Sequence, residues 1–322
     1  MKFVLVGAGR VARRHGKLLR ALGGKGTQVS VASRDLARAE AVRAAVGGAA
    51  ALGSYDDAFA SDADVVVIVT PPHLHLAQAR AALAAGKHVV LEKPPLPRAA
   101  DFAEVAAAAA AAGRRVFVAE NYFYKPLLVR LRGLMADGVV GDPLFVHVNA
   151  IKRQVVAADD WRADPTRALG GALYEGGIHW IDFLANLGLT VDRVRGFAPR
   201  PLPGQLERSM MVGFDYAEGA VGMLSYSWEV PSTWKGLRLS KIYGRRGTIT
   251  FETNGLWVWA HGTRTRPYLP GFRDLAGYRA MWSDFLAAWR DDRDAAFDLA
   301  RARRDLELVE AAYASSGLLA AG

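Results

Sequence analysis

The opening segment, KFVLVGAGRVARRHGKLLRAL, constrains the fold more than any other part of the chain. Phe3-Val4-Leu5-Val6 is a short unbroken apolar run, which suits a strand buried on both faces of a parallel sheet. Gly7, Gly9 and Ala12 follow with G-x-G-x-x-G/A spacing, and a helix begins there. Gly7 permits a tight turn, Gly9 lets backbone approach a pyrophosphate, and Ala12 is small enough for the helix to sit close to the strand. The free N–H groups at the start of the helix suit phosphate oxygens, with Arg10 and Val11 in the turn beside them. An ordinary tight turn can carry the same glycines. Context favours a dinucleotide site: a strand precedes, a helix follows, and a second strand, Gln28–Ala32, comes at the expected distance.

That second strand ends in VASRD. Chains that bind NAD often carry an acid there for the ribose 2′-hydroxyl. Here Ser33 and Arg34 occupy the place, and a hydroxyl with a guanidinium suits a 2′-phosphate. This points to NADP. The other reading leaves Arg34 in solvent and gives the ribose to Asp35, with NAD as the cofactor.

Val65–Val69 is a further β-branched run, stopped by Thr70-Pro71-Pro72. Leu74 to Ala85 have helical spacing with Gly86 as cap, and Val89-Val90-Leu91 lead into Glu92-Lys93-Pro94. Strand carboxyl ends in open α/β sheets face the ligand crevice, so Lys93 is aimed at a cofactor by topology alone. A bland alternative makes Glu92 and Lys93 charges at a solvent-exposed turn. Pro94 biases Lys93 away from helical dihedrals, and the bond between them is a candidate for the cis form. Asp101 to Ala112, capped by Gly113, read as an alanine-rich helix and Val116 to Ala119 as a strand. His75 lacks metal partners and is read as ordering the loop beside the nicotinamide or substrate.

Composition closes off other classes. With 322 residues, 51% hydrophobic, the chain is long enough for two cores. The net charge of +9 is scattered rather than gathered in a run, which argues against nucleic-acid binding while still favouring an anionic ligand. Zero cysteines exclude disulfides and thiolate metal sites, and no metal is expected. No stretch has the length of a membrane span, and Met1-Lys2 run straight into the first strand, so a cytoplasmic protein is expected.

In the second half, residues 120–141 have apolar spacing at Leu128, Leu131 and Leu134 and predict a helix. Leu144 to Ile151 read as a strand whose outgoing end carries Lys152, with Trp161-Arg162 following. That basic end beside a tryptophan suits a sugar-like or anionic ligand, or else a solvated loop with Trp161 in a packing contact. Glu175 and His179 stand four apart, on one face if helical. An imidazole titrates near neutrality and suits proton transfer; a surface ion pair is the alternative. Glycines at 170, 171, 176 and 177 argue for close approach of backbone to something. Residues 209–261 alternate as an antiparallel sheet, where Trp228, Trp257 and Trp259 either cover a face in a homodimer or homotetramer or pack internally. Residues 274–292 and 297–318 look helical.

With GAGRVA, TPPHLH, EKP, GGALYEGGIHWID and the closing RARRDLELVEAAYASS in this order, the chain resembles the Gfo/Idh/MocA family of NAD(P)-dependent oxidoreductases. The resemblance implies an α/β protein: a doubly wound parallel Rossmann sheet over residues 1–120, then a domain over 121–322 on a large, open, mostly antiparallel sheet. It implies a hydride exchanged between NADP (or NAD) and a carbinol or ketone carbon of a sugar, sugar derivative or cyclitol. Lys93 and His179 would stand at the reacting oxygen, Glu175 would orient His179, and Lys93, Lys152, Trp161 and Asp182 would meet substrate. Gly7, Gly9, Arg10, Val11, Ser33, Arg34, Thr70, Pro71, His75, Glu92 and Lys93 would hold the cofactor. The family's usual acid four before the histidine is Asp, so Glu175 is a departure. An NAD-dependent glycosidase of the same fold and a non-enzymatic sugar or nucleotide sensor are the alternative readings.

Overall fold

The structure, a computed structural model, describes residues 1–157, 160–201, 205–231 and 237–318. The chain forms two compact units. The first comprises Met1–Glu120 and Arg279–Arg303. Its strands are β1 (Lys2–Val6), β2 (Gln28–Ala32), β3 (Ala51–Leu52), β4 (Val65–Ile68), β5 (His88–Leu91) and β6 (Val116–Val118). They lie in the order β3-β2-β1-β4-β5-β6, all parallel. Val65, Val66, Val67 and Ile68 are fully buried, as continuous β-branched runs must be in a sheet covered on both faces. The connecting helices are α1 (Arg10–Leu22), α2 (Leu36–Val46), α3 (Tyr55–Ala60), α4 (His75–Ala84) and α5 (Asp101–Ala112). Strand order reverses between β1 and β4, and a doubly wound sheet binds ligands beyond the strand carboxyl ends at that point.

A division at residue 120 would leave Arg279–Arg303 in the second half, but it packs in the first unit. The cause is aromatic. On the helix Tyr278–Arg290, Trp282 meets Phe3 edge-on at 6.2 Å, while Phe285 and Trp289 lie 5.0 and 4.9 Å from Phe117. Such pairs add to the burial of large apolar area and tie this helix to β1 and β6.

The second unit comprises Asn121–Tyr278 and Arg304–Gly322. Its helices are α6 (Pro126–Ala136), α7 (Pro165–Ala168), α8 (Ile178–Ala185) and α10 (Leu299–Ser316, which begins in the first unit), α9 being Tyr278–Arg290. The helix expected over 120–141 is shorter than that, because Pro126 starts it and left-handed Gly138, at φ +66°, follows its end. The strands are β7 (Pro143–Ile151), β8 (Val191–Phe197), β9 (Ser209–Tyr216), β10 (Val221–Ser227), β11 (Leu239–Gly244), β12 (Thr248–Glu252), β13 (Val258–His261) and β14 (Thr265–Tyr268). They form one sheet, β14-β13-β12-β11-β7-β10-β9-β8. Among the described residues of this sheet, only β7 and β10 pair in parallel.

One face of this sheet buries Val146, Val148, Phe214, Leu224, Ile242 and Phe251. The other leaves Phe145, Phe197, Met211, Val221, Leu239 and Trp259 exposed. Trp228 does not share that exposed face: it is 4% exposed, and its indole N–H donates to the Tyr226 hydroxyl at 2.7 Å. Among the described residues no helix is long and apolar enough to cross a membrane.

Candidate functional site

The glycine turn joins β1 to α1. Gly7 sits at φ +120°, where a Cβ would fall 3.0 Å from the Val69 carbonyl oxygen, and its N–H donates to Ala32 O at 2.9 Å. Gly9 caps α1 in an extended conformation, and nothing lies within 4 Å of where its Cβ would be. That open space is what a pyrophosphate needs. The first turn of α1 holds no acidic residue to compete for its N–H groups. Ala8, Gly9, Arg10, Arg13 and Arg38 line a cavity of about 390 Å³ there. A dinucleotide fits this donor set.

At the end of β2, Ser33 is buried and its hydroxyl accepts from the Asp35 N–H at 3.2 Å. The Asp35 carboxylate accepts from the Arg38 N–H at 3.2 Å and caps α2. Arg34 is exposed. The carboxylate that the NAD reading assigns to the ribose is therefore already engaged as a helix cap. Arg13 and Arg38 escaped the sequence reading. The available signal was spacing: each lies one helical turn beyond a residue already singled out, Arg10 and Asp35.

Several residues expected at the cofactor make bonds within the first unit. Thr70 donates its hydroxyl to Gln78 Oε1 at 2.5 Å. His75 is fully buried, with ring nitrogens 2.8 Å from the Thr70 carbonyl and 3.1 Å from that of Pro95. Burial pushes its proton affinity down, and both ring nitrogens face backbone carbonyls. His75 therefore ties the loop after β4 to the loop after β5. Pro71 stands between Thr70 and the single 3₁₀ turn Pro72–Leu74 that leads into α4.

Glu92 is likewise internal, and its partners position the lysine. One carboxylate oxygen lies 2.8 Å from His15 Nε2, and the other accepts the Lys93 N–H at 2.9 Å. The Trp282 indole N–H donates to His15 Nδ1 at 2.8 Å. An indole N–H can only donate, so Nδ1 accepts and Nε2 carries the proton that goes to Glu92. Trp282, His15 and Glu92 thus form a directed chain of bonds ending on the Lys93 backbone, at a cis Lys93–Pro94 peptide. His15 gave no sequence signal, because its partners are 77 and 267 residues away.

In the second unit Leu173–Gly177 form a π-helical turn that passes into α8. Short π segments occur often at functional sites. The glycines there have particular causes: a Cβ on Gly171 would lie 1.8 Å from Glu207 Oε2, and one on Gly176 would lie 2.2 Å from the Tyr226 hydroxyl. His179 is half-buried, its ring stacked on Tyr122 at 4.3 Å and 11°. The Lys125 ammonium lies 4.3 Å from the same tyrosine ring centre. Glu175, which the resemblance makes a partner for His179, accepts from Arg162 Nε at 3.0 Å. Arg162 also pairs with Asp160 at 3.2 Å and stacks over Trp161 at 4.5 Å. The two carboxylates hold the guanidinium's proton more tightly, against the effect of burial.

Trp161, Arg162, Glu175, Glu207, Arg208 and Trp228 line a cavity of about 250 Å³. Asp182 lies outside it. It is fully buried and accepts from Asn186 Nδ2 at 2.7 Å, one turn further along, so it is not exposed to a ligand. Lys152 is exposed beyond the end of β7. Among the described residues no cluster of three or more His, Cys, Asp or Glu is arranged to hold a metal.

Comparison with known proteins agrees with this architecture. The model of the Gfo/Idh/MocA oxidoreductase family, NAD-binding Rossmann fold, matches residues 1–120, and that of the Gfo/Idh/MocA C-terminal domain matches residues 128–250. A D-xylose 1-dehydrogenase (NADP(+)) of Haloferax volcanii is 33% identical over 205 residues, covering 63% of this chain and 62% of that enzyme. The trans-1,2-dihydrobenzene-1,2-diol dehydrogenase of Bos taurus is 32% identical over 234 residues, covering 70% of this chain and 68% of that one. The crystal structure of a levoglucosan dehydrogenase with NADH and levoglucosan superposes with a TM-score of 0.87 at 19% identity, covering 98% and 97% of the two chains. With a glycine cradle shaped for a dinucleotide in one unit and an eight-stranded open sheet in the other, the chain belongs to the Gfo/Idh/MocA family of NAD(P)-binding oxidoreductases.

Proposed function

We propose that this protein is an NAD(P)-dependent dehydrogenase or reductase of a CH–OH group in a sugar, sugar derivative or cyclitol. The observation that carries the reading is the Trp282–His15–Glu92 chain, which fixes the backbone of Lys93 just past the carboxyl end of β5. A structure that anchors one lysine so firmly at a strand end suits a lysine with a chemical task. Relatives named for xylose, dihydrobenzenediol and levoglucosan support a polyol-like substrate.

A bound nicotinamide dinucleotide supplies the hydride acceptor or donor. The chain supplies the rest. Gly7, Gly9 and the first turn of α1 hold the pyrophosphate. Lys93 hydrogen-bonds the reacting oxygen, and its ammonium stabilises negative charge developing there. His179 takes the hydroxyl proton in oxidation and returns it in reduction. Stacking on Tyr122 limits the planes in which that imidazole can lie. Arg162 holds the Glu175 carboxylate at the cavity wall, where it is placed to meet substrate hydroxyls.

The cofactor preferred is NADP. Arg34 follows the end of β2, Arg38 lines the cavity at the glycine turn, and the Asp35 carboxylate is used as a helix cap. With NADP+ and a panel of aldoses and cyclitols, absorbance at the reduced-nicotinamide band should rise. Arg34→Ala with Arg38→Ala should weaken NADP+ binding by about tenfold or more and barely alter NAD+, since each loses a charge-assisted bond to the 2′-phosphate. A wild-type preference for NAD+ removes the NADP assignment; no turnover of any polyol or keto-sugar removes the enzymatic one. The exposed apolar face of the large sheet supports self-association as a homodimer or homotetramer. A monomer in sedimentation equilibrium at micromolar concentration would exclude it.

A further inference from the structure

The first N–H groups of any helix lack partners within the helix. The turn that carries Glu175 and leads to His179 has no side-chain cap of its own. Its N–H groups are met instead by two residues from elsewhere in the second unit. Gly171 N–H donates to the Tyr313 hydroxyl at 3.1 Å, and Tyr174 N–H to the same oxygen at 3.2 Å. Ala172 N–H donates to the Glu207 carbonyl at 2.9 Å, and Leu173 N–H to Glu207 Oε1 at 2.9 Å. The Tyr313 hydroxyl closes the set by donating to Glu207 Oε1 at 2.7 Å. Four successive N–H groups, 171 to 174, are thus satisfied by one buried Glu–Tyr pair. Glycine at 171 lets the carboxylate reach them.

We propose that Glu207 and Tyr313 are positioning residues that seat the π-helical turn and thereby set where Glu175 and His179 stand. Neither need touch substrate to do so. The proposal rests on the functional reading above for its kinetic consequences, though not for its structural ones. Glu207 also makes the seat sensitive to pH. Burial, the largest influence, pushes its carboxyl up to about 7, against the opposing pull of the Leu173 N–H and the Tyr313 hydroxyl. The charged or titratable groups facing it are Tyr313 from α10 and, around the shared cavity, Arg162, Glu175 and Arg208. Because the folded-state value lies above the unfolded one, the stability contributed by this carboxyl is complete below its unfolded value and declines as pH rises through about 7.

Three variants test the pair. Glu207→Gln keeps an Oε1 acceptor for Leu173 and Tyr313. Glu207→Ala removes it, and Tyr313→Phe removes the acceptor for Gly171 and Tyr174. The expected result is kcat lowered about tenfold or more in Glu207→Ala and Tyr313→Phe, with NADP(H) affinity unchanged, and kcat within about threefold of wild type in Glu207→Gln. The thermal midpoint of the wild type should fall relative to that of Glu207→Gln as pH rises from about 5 to about 8. NMR titration of His179, which needs no substrate, should show a midpoint displaced in Glu207→Ala and Tyr313→Phe and restored in Glu207→Gln. A protein that turns over no sugar still tests the seat by this titration. If Glu207→Ala fails to fold, Tyr313→Phe and Glu207→Gln decide the matter. Folded Tyr313→Phe with wild-type kcat and an unmoved His179 titration overturns the proposal.

Discussion

Replacing Lys93 with alanine should lower turnover about a thousandfold while leaving NADP(H) affinity nearly unchanged. The two effects separate because the groups lie on different loops. The turn after β1 is the one proposed to hold the pyrophosphate, whereas Lys93 follows β5. The backbone at 93 keeps its anchor in the variant, since Glu92 accepts from the Lys93 N–H, which alanine retains. In the proposed mechanism, what is lost is one ammonium at an oxygen that gains negative charge in the transition state. Lys93→Arg should not restore activity, because a planar guanidinium cannot take the place of a compact, flexible ammonium. His179→Ala makes the complementary test: its residual rate should lose pH dependence in the neutral range, while that of Lys93→Ala keeps it. Steady-state kinetics with cofactor fluorescence titration reads all three. Wild-type turnover in Lys93→Ala would remove the lysine from the mechanism.

The second large effect expected is on folding. Gly171→Ala should lower stability by roughly 4 kcal/mol or more, beyond the ordinary range for a single methyl group. The new Cβ would stand 1.8 Å from Glu207 Oε2 and 2.2 Å from its carbonyl oxygen. Glu207 has no easy retreat: Leu173 N–H and Tyr313 hold its side chain, and Ala172 N–H holds its carbonyl. Either the carboxylate leaves, orphaning buried donors, or the turn shifts and takes Glu175 with it. Gly113→Ala makes the control. That glycine sits at φ +61° with nothing within 4 Å of its Cβ position, so only the backbone term of about 1 kcal/mol applies. Equal thermal midpoints for the two variants would show that the contact at 171 yields without cost.

The first unit was legible because its strands advertise themselves. A parallel strand covered on both faces is a short continuous apolar run, as in Val65–Ile68, and Gly7 and Gly9 mark the turn. The second unit showed its alternation but not its pairing: nothing local says that β10 lies parallel to β7. Glu92, His75 and Asp182 are polar residues within apolar stretches of sequence, a pattern that suits ligand-facing groups. Each is buried, bonded to other parts of the chain. Spacing cannot distinguish a group that meets a ligand from one that holds its neighbour. Nor could four-residue spacing show that Glu175 lies in a π turn, or that its carboxylate meets Arg162. His15, Glu207 and Tyr313 stayed invisible for a simpler reason: their partners are tertiary.

The return of Arg279–Arg303 to the first unit bears on how such a protein can be cut and recombined. A fragment ending at Glu120 would contain every strand of the Rossmann sheet and the whole glycine turn, yet Phe3 and Phe117 would be stripped of their indole and phenyl neighbours and His15 of its donor. A chimera that grafts a new nucleotide module onto this scaffold must therefore exchange two stretches of gene, the distal one encoding the tryptophan that steadies the lysine.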